Sequence, residues 1–163
     1  VAVCVGVFVL VTEPGAPGIG KVDRLLFPKD HSIVCAFLEP LPTRRVLSQA
    51  AIATRVNPSA QRAMDRIHRK PELRTFLAES RDFGRDIGLE TPEITQLIDV
   101  MNSAGAVGAA QNMIGKAVHG VVENSKVSQV LRRLRRKFPS ALVFASSLDV
   151  SGVRLAVARN PKH

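Results

Sequence analysis

A chain of 163 residues with 45% apolar and 23% charged residues can close one core that buries about 70% of the unfolded surface. It needs neither disulfide nor structural metal, and its composition excludes general disorder. Lys and Arg number 23 against 14 Asp and Glu, a formal charge of +9. That excess favours anionic partners, either polyanions or phosphorylated small molecules. Seven Phe with no Tyr or Trp offer few platforms for stacking bases, so nucleic acid is not the expected partner.

The chain opens on Val1 to Val11, where Val3, Val5, Val7, Val9 and Val11 alternate with Cys4, Gly6, Phe8 and Leu10. A β-branched period of two with an apolar intervening face predicts a strand covered on both sides. The run is too short to cross a bilayer, and no basic segment precedes it. Because valine stands first, inside a strand, further residues are expected upstream. Cys4 and Cys35 each lie in an apolar β-like run without metal-ligand spacing, so both are read as buried reduced thiols in an intracellular, cytoplasmic protein.

Gly15 to Lys21 formally matches G-x-x-x-x-G-K. A phosphate loop needs Ser or Thr after the lysine and a helix behind it. Val22 follows instead, then Asp23 to Pro28 reads as a short strand, so the stretch is predicted to connect two strands. Ser32 to Leu38 is the next strand, closed by Glu39-Pro40-Leu41-Pro42.

Four helices follow. Thr43 caps the first, which carries Val46, Leu47, Ala50, Ala51 and Ala53; Asn57-Pro58 opens a second with Ala60, Ala63, Met64 and Ile67 inward. Pro71-Glu72 starts a third with Leu73, Phe76, Leu77, Ser80, Phe83 and Ile87 on one face and Gly88 as C-cap. Thr91-Pro92-Glu93 opens a fourth with Ile94, Leu97, Ile98 and Met101 inward. Asp82 and Asp86, four apart on a helix, read as solvent-facing rather than as a catalytic pair.

The chain is organised around Ser103 to Val122, rich in glycine and alanine. Gly105, Gly108 and Gly115 can take positive φ or turn N–H groups toward an anion; the alternative is a tight connection in which small residues fit a crowded corner. A strand at Ala117 to Val122 follows, then a helix near Lys126 to Lys137 with Val127, Val130, Leu131 and Leu134 inward. Arg132, Arg133, Arg135, Arg136 and Lys137 make its other face, read as solvated and suited to a helix C-terminus. Ala141 to Ser146 and Val153 to Ala158 read as a hairpin. His31, His68, His119 and His163 are scattered, and only His119 adjoins the glycine-rich stretch. From residues alone the reading ends at an α+β domain with a candidate anion loop.

Four stretches resemble a known family: Pro14 to Arg24, Thr43 to Leu47, Thr91-Pro92-Glu93, and Gly108-Ala109-Ala110-Gln111-Asn112-Met113-Ile114-Gly115-Lys116-Ala117-Val118. They look like the C-terminal half of archaeal pantoate kinases, within the GHMP superfamily named for galactokinase, homoserine kinase, mevalonate kinase and phosphomevalonate kinase. The resemblance implies an α+β fold, an antiparallel sheet packed on a group of helices. Residues 1–40 would be a strand-rich segment continuing from an upstream domain, and 41–163 the C-terminal domain.

It also implies phosphorylation of the primary hydroxyl of pantoate by ATP with Mg2+ on the archaeal route to coenzyme A. The partners would be pantoate and ATP, no membrane, with a homodimer left open. The superfamily's third glycine-rich motif matches Ser103 to Gly115, which carries over Gly105, Gly108, Gln111 and Gly115 as shapers of the substrate and phosphate pocket, Gln111 as a polar contact. The first and second motifs, including the loop that cradles ATP phosphates, have no counterpart here and are expected upstream. Catalytic residues are therefore unassigned, no metal ligands are found, and this chain alone is expected to be nearly silent. The alternatives are a basic module for nucleic acid or another anionic partner, and a non-catalytic kinase-like interaction protein.

Overall fold

The computed structural model describes residues 8–16, 19–25, 28–39, 50–112 and 115–148. Two compact units separate, the larger running from Pro28 to Leu148.

In the smaller unit, β1 (Phe8–Glu13) and β2 (Lys21–Leu25) pair antiparallel, with a bulge between Val11 and Glu13. Gly15 and Gly20 cross so closely that a Cβ on Gly15 would stand 2.7 Å from the nitrogen of Gly20. Lys21 is the first residue of β2 and donates to Glu13 Oε1 at 2.6 Å. The G-x-x-x-x-G-K match is thus a connector between strands, as expected. Val11 lies exposed, so the expectation that both faces of the first strand are covered is not met there.

The larger unit is built on a four-stranded sheet of β3 (His31–Phe37), β4 (Ala106–Gln111), β5 (Ala117–Glu123) and β6 (Leu142–Ser147), ordered β4-β5-β3-β6 and antiparallel throughout. β3, from the segment assigned to 1–40, stands between β5 and β6. The strand expected to pair with β6, Val153 to Ala158, lies outside the described residues, as do Cys4 and Thr43 to Leu47.

One face of the sheet carries Val34, Ala36, Ala109, Val118, Val122 and Val143 against α3 (Pro92–Ser103) and α4 (Val127–Lys137). Ile94, Leu97, Ile98 and Met101 recur at helical spacing and are fully buried; each contributes about 1.5–3 kcal/mol of transfer free energy. Gly120 leaves room for Met101, whose sulfur would stand 3.0 Å from a Cβ there. Pro92 occupies the first turn of α3, and Thr91 Oγ1 accepts from the N–H of Ile94 at 3.4 Å. On α4, Val130 and Leu134 face inward while Arg132, Arg133, Arg135, Arg136 and Lys137 stand in solvent, as the sequence implies.

On the opposite face, α2 (Leu73–Asp86) lies on β4, and α1 (Ala50–Arg69) packs against α2. Gly88 (φ +80°) ends α2: its N–H bonds the carbonyl of Arg85 and the N–H of Leu89 that of Gly84, the paired bonds of a glycine C-cap. Toward β6 this face carries exposed apolar side chains. Phe37 and Phe144 stack there at 5.9 Å with Leu142 beside them, all exposed.

Asn57-Pro58 does not open a new helix. α1 runs through Pro58, which removes one backbone donor, and both residues are exposed, so water can take the bond lost from the ladder. Asp82 and Asp86 reach solvent, as expected, and each also pairs with an arginine: Asp82 with Arg85, and Asp86 with Arg62 at 2.9 Å.

Candidate functional site: the hairpin tip and its cleft

The glycine-rich stretch folds as the β4–β5 hairpin. Its tip begins where the N–H of Asn112 bonds the carbonyl of Ala117 at 2.9 Å, and Gln111 Nε2 donates to the carbonyl of Gly115 at 2.8 Å. Gly115 has φ +131° with nothing within 4 Å of where a Cβ would stand. A side chain there would be strained by backbone alone.

Of the four residues carried over from the sequence, Gln111 and Gly115 are joined by that bond. The other two stand elsewhere. Gly105 (φ +108°) turns the chain from α3 into β4 beside Lys126. Gly108 sits within β4, where a Cβ would meet Leu77 Cβ at 2.9 Å, and it lines a separate recess of about 460 Å³ with Arg74, Arg81 and Arg85.

Lys116, next to the tip, pairs with Glu39, and this bond, aided by the charge of Glu93, raises its pKa. Glu93 is itself held below the usual carboxylate range, first by the Thr91 hydroxyl.

A cleft of about 570 Å³ opens between α1, α2 and the hairpin. Its walls are apolar: Ala60, Ala63, Met64 and Ile67 from α1, Phe76 and Phe83 from α2, and Ile87 just past the end of α2. Its polar groups are Glu79, Ser80, Gln111, Asn112 and His119. Glu79 is neutralised by Arg66 at 3.0 Å.

His119 Nδ1 is hydrogen-bonded to Asn112 Oδ1. That oxygen only accepts, so Nδ1 carries the proton and Nε2 keeps a lone pair. Burial lowers the pKa of the ring, and the neutral form is favoured. Gln111 Oε1 is buried and has no hydrogen-bond partner among the described residues.

Sequence reasoning named Gln111 and noticed His119, but missed Glu79, Ser80 and Asn112. Ser80 left one trace, a hydroxyl in an otherwise apolar helical stripe. Among the described residues no three His, Cys, Asp or Glu side chains gather as a metal site.

A family model described as GHMP kinases C terminal matches residues 51–140. The chain belongs to the GHMP kinases. This GHMP kinase chain is 22% identical over 128 residues to pantoate kinase of Methanocaldococcus jannaschii, covering 78% of its own length and 46% of the relative's. Its fold superposes with TM-score 0.75 on a phosphotransferase related to the CoA biosynthesis pathway, at 17% identity and over 88% of this chain and 46% of that one. It also superposes on Leishmania (L. major) mevalonate kinase in complex with R-mevalonate, with TM-score 0.57 at 14% identity, over 82% and 47% of the two chains. The GHMP kinase chain therefore spans about half the length of the relatives it matches. Among the described residues no helix is long and apolar enough to cross a membrane.

Proposed function

We propose that this chain is the acceptor-side half of an ATP-dependent kinase that phosphorylates the primary hydroxyl of pantoate, giving 4-phosphopantoate for coenzyme A synthesis in the cytoplasm. The observation that carries the reading is the similarity to a pantoate kinase over 78% of the chain. The cleft suits an acceptor of this kind: apolar walls can take a dimethyl-substituted carbon, and His119 on the wall can accept a hydrogen bond from a hydroxyl.

Phosphoryl transfer depends on positioning and charge neutralisation around the transferred group. This chain contributes the Gln111–Gly115 brace and the Lys116 cation beside it. ATP and Mg2+ would be held chiefly by a phosphate-cradling loop outside these residues.

The test is ADP release from MgATP with and without pantoate, measured for this chain and for the longer reading frame that contains it. Turnover that depends on pantoate in the longer form alone is the expected result. A folded longer form without such turnover would remove pantoate as the acceptor.

A further inference from the structure

We propose that the outer edge of β4 is a self-association surface, where a second copy of this chain adds its own β4 antiparallel across a two-fold axis at Ala109 and Ala78. β4 ends the sheet, and among the described residues it pairs with β5 alone. Its edge is unguarded: Ala-Val-Gly-Ala-Ala-Gln carries no charge and no proline, the devices that keep strand edges apart. The groups a second strand needs face outward at Ala109 and Gln111. The N–H of Asn112 bonds Ala117 across the hairpin, and an antiparallel ladder alternates from there. Ala110 therefore turns its backbone groups to β5, while Ala109 and Gln111 turn theirs away. Set opposite Ala109 of the partner subunit, Ala109 exchanges two hydrogen bonds with it.

α2 carries the same symmetry. Leu77 covers Gly108, and Gly84 lies beside Gln111. Seven helical residues rise about 10.5 Å and three strand residues about 10 Å, so α2 runs along β4 in the same direction. The axis that sets β4 against its copy thus sets α2 against its copy, also antiparallel. Ala78, one residue past Leu77, is exposed and lines the recess of about 460 Å³ along this edge; its small side chain lets two helices approach. Arg74 and Asp82 stand four residues before and after it and line the same recess.

A two-fold axis at Ala78 brings Arg74 to Asp82 of the partner subunit, and does so twice. Among the described residues Asp82 is shared only with Arg85 on the surface. Arg81, which lies between, is already held by Asp99 and Glu90, so it adds no uncompensated charge to the contact. The edge is therefore complementary to itself in charge as well as in backbone hydrogen bonding, which is what an isologous contact requires.

The test is sedimentation of the longest reading frame that contains this chain, with amide exchange followed at Ala109. A reversible dimer with a dissociation constant between about 1 and about 100 µM is expected of so small an interface. Arg74→Asp and Asp82→Arg should each weaken it by about tenfold or more. An equimolar mixture of the two variants should dimerise like the parent, because every reversed charge then meets its opposite. The Ala109 amide should be protected in the dimer and exchange about tenfold faster or more in either variant alone.

Four outcomes would each overturn the proposal: a monomer at all concentrations, a dimer indifferent to both reversals, a mixture no tighter than its components, or an Ala109 amide equally protected in the monomer, as it would be under another segment. Neither readout involves turnover, so failure of the kinase reading would leave this one standing.

Discussion

Cys35 on β3 and His119 on β5 are register partners on the same face of the sheet, and burial holds each in its neutral form, raising the thiol pKa and lowering that of the imidazole. Charging either group there costs desolvation.

The histidine sets a pH dependence of stability. A group whose folded pKa lies below its unfolded value near 6.5 binds fewer protons folded than unfolded once the pH falls through that value. Stability contributed by neutral His119 is then fully present above about pH 6.5 and declines below it. Denaturation midpoints taken from pH 8 to pH 5 should fall on the acid side, and His119→Phe should flatten that limb. An unchanged limb would show that the ring is not buried in solution.

The thiol sets a reactivity. Thiolate is the nucleophile, so Cys35 should be alkylated by iodoacetamide far more slowly in the folded chain at pH 8 than in urea. Peptide-resolved mass spectrometry keeps its signal apart from that of Cys4. Cys35 is only partly buried, short of the full burial expected of it, and equal rates in the two states would contradict even that shielding.

Gly108 and Leu77 fix how α2 sits on the sheet. Gly108→Ala pushes a methyl to 2.9 Å from Leu77 Cβ, and the forced shift should cost about 1–3 kcal/mol in chemical denaturation. Leu77→Ala alone should cost about 2–5 kcal/mol. Because the two side chains meet, the double variant should lose less than the sum; strict additivity would mean that they do not touch.

Arg81 ties three elements. It donates from α2 to Asp99 on α3 at 2.9 Å and to Glu90 at 3.4 Å, and the Glu90 side chain is only 3% exposed. Arg81→Met should destabilise by about 3 kcal/mol, because it strands a buried carboxylate. Adding Glu90→Gln should recover part of the loss in the same denaturation assay, since Thr95 Oγ1, which donates to Glu90 at 2.8 Å, can still bond the amide. No recovery would place the damage elsewhere.

Several elements were legible from residue order alone. The inward set of α3, its Thr91 cap and Pro92 start, the glycine end of α2, the strands β3 and β5, and the split faces of α4 all follow from local periodicity and capping chemistry. Those signals need only neighbours in the chain. The family, too, could be read from short glycine-containing segments.

What the sequence left hidden depended on contacts between distant residues. The glycine-rich stretch gave no strand signal in β4, because Gly108 must be bare to admit Leu77 and Ala109 must be small beside Gly120. Tertiary crowding selected those residues, and it erased the alternation that marks a strand. Likewise Pro58 reads as a helix start, yet the packing of α1 on α2 carries the helix through it. The cleft is the clearest case: Gln111, Gly84 and His119 come from three elements, and only the folded sheet with its two helices brings them to one cavity.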